Sequence, residues 1–537
     1  MNINLNKKQH LDAIEILNES ASLVESFGKY KFENGKNLIE LLTIDDISFW
    51  DLFTSELAQT HLPLVLASDK NTSRKIDNFS FYYSILKAFV KYKIKKFQFP
   101  KKSFSNIKGD TILCLGFTNQ SYRDIMTSIV GNLAHNSSYN VIVISDSKLP
   151  SITATITQNS SFIINWQFLD DNNEKIIIEI KKKLKNILQY LELNNFLDRL
   201  IPENKYHLKY EFKKSFKRLF YIHLNNIVVQ AVIAKSILKQ LKPKIIITPD
   251  SSDPRARLFT TQASFLNIPS LSVQFGLVGN EAVEWRFLST NLVAVWGESS
   301  RKAILNQKIT NERIVITGSP RYDYIYNKEK ESNLNKTNLG IQNQKSIVLL
   351  ASSYGDKSLK NLSLPNTLDI MKSDIFNTIN QFPDCVLLIK PHPSENIEQT
   401  RKLINNFDNI KIVDKTIDIR ELIDICDIFI SFGSTATIDA LVANKISICP
   451  VYHGWSFSDI FKNSGATLNP TNKEELYDLF YKILNKKLDD IFLKKLENSK
   501  NKFLENQIFK NDSKSTERIV SLVLSMIKHN ELLNSSH

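Results

Sequence analysis

Val386–Glu395, VLLIKPHPSE, and Asp427–Pro450, DIFISFGSTATIDALVANKISICP, decide the fold. Each opens on a short apolar run of strand character and stops at small, polar or imidazole residues, and the second then runs into a helix. In an open parallel sheet, the residues just past the carboxyl ends of the strands line the ligand crevice. Two such ends, at 390–395 and 431–435, predict one binding site on one Rossmann-like sheet.

The pattern extends in both directions. Strands are predicted at 346–350, 386–389, 410–413, 428–431 and 446–450, with helices over about 365–381 and from Asp418 on. Glu421 stands three residues after Asp418, the spacing of a capping box. Upstream, strands are predicted at 111–116, 141–145, 244–248, 270–273, 292–296 and 314–317, with helices over 174–196, about 205–240 and about 255–266. Strands alternating with helices at this spacing make parallel sheets covered on both faces. The polar stretch 326–345, YNKEKESNLNKTNLGIQNQK, reads as a linker, and residues 1–100 read as helical, including 38–57 and 81–97. The expected organisation is an N-terminal helical region (1–104), a first Rossmann-like domain (105–330), a linker (331–345), a second Rossmann-like domain (346–470) and a C-terminal helical tail (471–537).

A chain of 537 residues exceeds the usual size of a single core. Its 42% apolar and 23% charged residues are those of a globular protein. The net charge of +13 suits an anionic donor, polymer or membrane face, and equally plain solubility. Cys114, Cys385, Cys426 and Cys449 lie in or beside apolar runs without a CxxC pair, so buried reduced thiols are expected rather than a metal site. The opening MNINLNKKQHLDAIEIL lacks the apolar core of a signal peptide, and no long uncharged apolar run is present. The expectation is a cytoplasmic protein, peripheral at the inner face of a membrane. Residues 91–102, KYKIKKFQFPKK, interleave Lys with aromatics. They suit a phospholipid or nucleic-acid contact, or more simply a solvated helix end before a linker. No nucleic-acid motif accompanies them.

Ser431-Phe432-Gly433-Ser434-Thr435 lies between a strand and a helix, where unbonded N–H groups attract phosphate. Gly433 permits close backbone approach, and the Ser434 and Thr435 hydroxyls add donors. The plainer alternative is that these hydroxyls cap their own helix. In Lys390-Pro391-His392-Pro393 the prolines restrict the backbone on either side of the imidazole, a rigid way to present it to a phosphate or a leaving group. A lone histidine is otherwise most often a structural hydrogen-bonding residue.

Two Rossmann-like halves, the KPHP element and the run from Asp427 to Ala440 resemble the GT-B glycosyltransferases of bacterial surface polysaccharide synthesis. Capsule polysialyl- and Kdo-transferases and teichoic-acid glycerophosphotransferases are the nearest kin, UDP-GlcNAc 2-epimerases more distant ones. Thr317–Asp323, TGSPRYD, is similar to the run closing the first half of the teichoic enzymes. The resemblance covers roughly 240–460. It implies an α/β fold of two Rossmann-like domains facing a cleft, with transfer of a sugar or alditol phosphate from a CMP-, CDP- or UDP-linked donor to a glycan or lipid-linked acceptor. It implies Lys390, His392 and Pro393 at the donor phosphate, with Ser431, Gly433, Ser434 and Thr435 beside them. Asp439 would lie nearby or on the ribose, Ser352 and Ser353 in the cleft, and Gly318–Asp323 at the hinge. No metal or cofactor is implied.

Two departures matter. Gln274-Phe275-Gly276 stands where many relatives carry Gln-His-Gly, which leaves open an altered acceptor site or a catalytically inactive nucleotide- or glycan-binding protein. The stretch from Ser434 to Asp439 holds one carboxylate where the epimerases have an acidic pair, which argues against epimerisation. For the base on the acceptor hydroxyl, Asp250 and Asp253 follow a strand end, and Glu284 follows the Gln-Phe-Gly turn. Gln274, Gly276, Arg255 and Arg286 are the acceptor-side candidates, with Arg257 a further arginine there. His453 is expected near the donor base or sugar, or packed beside Trp455.

Overall fold

The computed structural model describes residues 13–66, 87, 90–102, 104, 107, 109–153, 159–193, 195–196, 216, 224–279, 282–326, 334–342, 345–353, 367–392, 395, 397–453, 455, 458–462, 464–510 and 512–535. They form two compact units. The first comprises Ile14–Trp296, Ser300–Tyr326 and Asn511–His537, and the second is chiefly Asn327–Lys510. The chain thus leaves the first unit after Tyr326 and re-enters it after Lys510.

The first unit holds seven strands: β1 Thr111–Leu115, β2 Asn140–Ser145, β3 Ser160–Ile164, β4 Ile245–Thr248, β5 Ser270–Val273, β6 Leu292–Val295 and β7 Ile314–Ile316. All pairings are parallel, in the order β3-β2-β1-β4-β5-β6-β7. Helices cover both faces, so β1 must be apolar on both, and Ile112 to Leu115 are fully buried. The second unit holds β8 Ser346–Ala351, β9 Cys385–Lys390, β10 Ile410–Ile412, β11 Ile428–Ser431 and β12 Ile446–Ile448, parallel in the order β10-β9-β8-β11-β12. Each order reverses at one point, between β1 and β4 in the first sheet and between β8 and β11 in the second. At such a reversal the flanking loops diverge and leave a crevice at the carboxyl edge. All four cysteines are buried free thiols.

The α/β reading of both halves agrees with these sheets. Four details differ from the sequence expectations. Strand β3 was not anticipated: only its end, Phe162-Ile163-Ile164, is apolar, as suits a sheet edge. The stretch 38–57 is not one helix. Leu38–Leu41 and Phe49–Glu56 are separated by a two-strand turn, Thr43–Ile44 with Ile47–Ser48, which reverses at Asp45 and Asp46 with both φ angles positive. Of 81–97, helix is described from 90 to 98, and most of the expected helices before Leu224 lie outside the described residues. The end of the polar stretch is not a bare linker, because Ile341 is buried with Leu339 against the second core.

The segments at the two ends are built into the units. Helix Ala13–Lys29 is held by Arg286, whose guanidinium donates to Asn18 Oδ1 at 2.8 Å and Ser22 Oγ at 3.1 Å. Helix Phe49–Glu56 is held by Arg257, which donates to the carbonyls of Asp51 and Phe287, each at 2.6 Å. Segment 471–537 is divided. Leu476 and Phe480 pack into the second core, whereas Ile519, Val520, Val523 and Ile527 of the final helix pack into the first. That helix is capped by Asp323, whose carboxylate accepts from Ser515 N at 3.0 Å and Thr516 N at 2.7 Å. Within the same TGSPRYD run, Arg321 forms a buried ion pair with Asp124. Among the described residues, no helix is long and apolar enough to cross a membrane.

Candidate active site

The second sheet brings three strand ends to one edge. Ala351, the last residue of β8, is in register with Lys390 on one side and Ser431 on the other. Two interstrand spacings place Lys390 and Ser431 about 10 Å apart. Ser352-Ser353, Pro391-His392 and Phe432-Gly433 therefore leave the sheet side by side.

A buried ion pair shapes this edge. Lys372, on helix Thr367–Ile379, and Glu395 are 5% and 8% exposed, with Nζ and Oε1 2.8 Å apart. Oε1 also accepts from Ser352 Oγ at 2.9 Å and Thr400 Oγ1 at 3.0 Å, while Oε2 accepts from His392 N at 3.1 Å. Lys372 donates to Ser353 O at 2.9 Å as well. One carboxylate and one ammonium thus fix the backbone after β8 and after β9 together. Such a pair survives burial only because its remaining lone pairs and protons find partners. Burial depresses the His392 pKa, an effect Glu395 opposes and Lys415 reinforces. The ring is therefore neutral at neutral pH, with one nitrogen a donor and the other an acceptor. The sequence reading assigned neither Lys372 nor Glu395. The signals were a lysine amid the apolar residues of TLDIMKSDIFNTI and a carboxylate three residues past the imidazole.

The remaining donor-side residues divide by environment. Ser431 is fully buried, and its hydroxyl pairs with Thr437 Oγ1 and accepts from Gly433 N at 3.3 Å. It shapes the turn from beneath. Gly433 has φ +96°, a conformation that disfavours any side chain. Ser434 is exposed, yet its hydroxyl accepts from Ala436 N at 3.2 Å, as in the capping alternative. Thr435 is half-buried, and Asp439 is buried at 1% exposure. Lys390 Nζ donates to the carbonyls of Asp414 and Lys415, at 3.2 and 2.7 Å. Trp455 Nε1 donates to Phe432 O at 3.1 Å, pinning the loop with exposed His453 to the Gly433 turn. Pro393 and Gly454 lie outside the described residues.

The carboxyl edge of the first sheet is acidic. Past β4, Asp250 Oδ1 accepts from Ser252 N at 2.9 Å, Ser252 Oγ at 2.7 Å and Asp253 N at 3.3 Å. Among the described residues Oδ2 takes no such bond. Burial, then the neighbouring Asp253 charge, raise the Asp250 pKa against its hydrogen bonds. Asp253 caps helix Pro254–Phe265 and is chelated by Arg255, which donates to Oδ2 at 2.7 Å and Oδ1 at 3.0 Å. Arg255 also lies over the Phe117 ring. Asp250, Ser252, Asp253 and Arg255 line a cavity of about 460 Å³ whose opposite wall is Ser55, Glu56 and Gln59. That wall comes from the N-terminal helical segment, to which the sequence reading gave no role. Glu284 touches it, accepting from Gln59 Nε2 at 3.2 Å.

Other acceptor-side candidates lie away from this cavity's lining. Gln274 is fully buried and clasps β5 to β6, its Oε1 accepting from Trp296 N at 2.8 Å and its amide donating to Gly276 O at 2.8 Å. Gly276 is half-buried in the turn that follows, and Phe275 packs on the first core. Arg286 is engaged with the N-terminal helix, and Arg257 is buried at 2% exposure between helices.

Residues 288–525 match the protein-family model described as CDP-Glycerol:Poly(glycerophosphate) glycerophosphotransferase. No curated protein sequence matches the chain. Among solved structures, the S. aureus MnaA–UDP co-structure is similar over 78% of this chain and 98% of its own, at 13% identity and a TM-score of 0.50. A putative UDP-N-acetylglucosamine 2-epimerase from Listeria monocytogenes is similar over 79% of this chain and 98% of its own, at 12% identity and a TM-score of 0.50. At these identities the likeness is one of fold: two Rossmann-like domains of the GT-B type.

Proposed function

We propose that this chain, a GT-B-type transferase of surface polysaccharide synthesis acting on a nucleotide-linked donor, moves an alditol phosphate or a sugar to an acceptor hydroxyl without a metal ion. The observation that carries the reading is the register of Ala351 with Lys390 and Ser431, which gathers Ser352, Ser353, His392 and Gly433 at the reversal of the second sheet. There the donor phosphates meet the His392 imidazole, the backbone around Gly433 and the Ser434 and Thr435 hydroxyls. Preorganised donors of this kind stabilise charge developing on a leaving phosphate. Lys390, Pro393 and His453 border the same site, and Asp439 supports it from beneath.

Asp250 is the base in this reading. It presents an oxygen without a protein hydrogen bond to a cavity wide enough for a sugar or polyol end, and its raised pKa suits proton abstraction. Asp253 and Arg255 hold its loop in place, and Glu284 steadies Gln59 opposite. The acceptor hydroxyl attacks the phosphorus bearing the alditol, or the anomeric carbon of a sugar donor. The bond to the nucleotide breaks, the nucleotide leaves and Asp250 takes the hydroxyl proton. The family match makes a CDP-linked donor the first to try, and the S. aureus co-structure makes UDP the second. Glu56, Asp250 and Asp253 outnumber Arg255 in the cavity, which favours a neutral hydroxyl end over a phosphate there.

Calorimetric titration of the full chain with CMP, CDP and UDP tests the donor site. Saturable binding of one, weakened in His392→Ala, is expected; binding of none, or unchanged affinity in the variant, sinks the assignment. Binding without turnover across an acceptor panel would instead favour a non-catalytic binder, the alternative raised by Phe275.

A further inference from the structure

The helix over 90–98 is two-sided in an unusual way. Its inner side is tied to the first unit: Tyr92 Oη donates to Glu174 Oε1 at 2.6 Å, Lys96 bonds the same oxygen, and Lys95 reaches Asp146 O at 3.2 Å. Tyr92 also packs at a tilt on Trp166. The opposite side carries Val90, Ile94 and Phe97, spaced as one helical stripe and 45%, 50% and 89% exposed. Lys87, Lys91 and Lys93 are exposed around that stripe, and Lys101 and Lys102 follow it. On the helix that holds Glu174, Ile178 lies one turn further on, 69% exposed, with Lys182 and Lys185 exposed beyond it.

A solvated helix end would place lysines outward and aromatics inward. Here polar bonds hold the inner side, and the outer side is apolar at its centre and cationic at its margins. A protein partner would bury apolar centre and charged rim against specific groups, whereas a duplex would engage the lysines and leave Phe97 in water. An anionic bilayer satisfies both, taking apolar side chains among its acyl chains and lysines among its headgroups.

We propose that the stripe Val90, Ile94 and Phe97, with its ring of lysines, docks the first unit on an anionic phospholipid surface. The orientation is set by the Glu174 and Asp146 bonds, which hold the helix with this side away from the unit it anchors. The contact is independent of the donor-site reading, because none of its residues lines the candidate site.

The test is sedimentation of the full chain with vesicles of phosphatidylcholine alone and with equal parts of phosphatidylglycerol, at low and high salt. Binding is expected only to the anionic vesicles, weakening as salt rises, with a drop of about tenfold in Phe97→Glu. Replacing Lys91 and Lys93 together by Glu should lower it by a similar factor. Unchanged thermal unfolding and CDP or UDP titration in these variants would show that the fold survives. Absence of vesicle binding overturns the proposal, as does equal binding by Phe97→Glu. Tighter binding to a DNA duplex than to anionic vesicles, indifferent to Phe97, overturns it in favour of a nucleic-acid contact.

Discussion

The carboxyl edges of the two sheets share a topology and differ in chemistry. In the first, the loop after β4 is held by a half-exposed aspartate–arginine chelate and offers one carboxylate oxygen to a cavity. In the second, the loops after β8 and β9 are held by a buried lysine–glutamate pair and offer an imidazole and backbone at a glycine turn. The sheet reversal decides where a site forms, and the ion pair behind each loop decides what it presents. A carboxylate suits an acceptor hydroxyl, and neutral donors suit a leaving phosphate.

The contrast breaks most readily at Asp250. Asp250→Asn keeps an acceptor oxygen for Ser252 and Asp253 but removes the base. Turnover should fall by ~10²–10⁴-fold, with donor affinity measured by calorimetry unchanged. Because burial raises this carboxyl's pKa, the native state binds its proton more tightly than the unfolded chain, so ionisation destabilises the fold at neutral pH. The Asn variant should accordingly melt ~1–3 °C higher. Equal turnover in the variant would remove Asp250 from the reaction.

Lys372→Ala tests the other edge. It leaves Glu395 buried without its cation, and should cost ~3–5 kcal/mol in urea unfolding of the second unit. Lys372→Met paired with Glu395→Gln should recover part of that stability while leaving donor affinity low, because the bonds to Ser352, Ser353 and His392 N are altered. Full recovery of affinity would show that the pair has only a packing role.

His392→Ala should weaken donor binding by ~1–3 kcal/mol. Its pH dependence sharpens the comparison. The native ring titrates below the ordinary histidine range, so the imidazolium, and tighter phosphate binding, emerge only as pH falls below ~6.5. The same depression contributes stability above that pH, lost as pH falls through the folded value, because the unfolded chain then binds more protons. Calorimetry from pH ~7.5 down to ~5 should show affinity rising in the wild type and flat in His392→Gln.

The smallest effect belongs to Gly433→Ala, which puts a methyl on a residue at φ +96°. A loss of ~1–2 kcal/mol in stability is expected, with weaker donor binding because the turn must shift. Unfolding curves and CDP or UDP titration would check both.

Much of this was legible in the residue order. Apolar runs such as TILCL, VLLIK and IFIS announce buried parallel strands because both faces must be covered. The turn residues at 390–395 and 431–435 mark strand ends because prolines, glycine and small hydroxyl residues interrupt a ladder. Ser431 shows the limit: its hydroxyl reads as a phosphate donor in sequence and is closed beneath the turn in space. Gln274 is similar, a polar residue at a strand end whose amide joins two strands rather than facing a ligand. Whether a hydroxyl or amide faces inward depends on neighbours distant in sequence, and local pattern does not carry them.

The sequence by itself determined two doubly wound halves, the strand ends that form each candidate site and the neutral imidazole between prolines, because periodicity and turn chemistry are local. Only the tertiary structure joined Lys372 to Glu395 across 23 residues, Glu56 and Gln59 to Asp250, and the final helix to Asp323. It alone turned Phe97 outward. Such pairings arise from packing between elements that no short window of sequence contains, and burial sets the charge state and orientation of the groups involved.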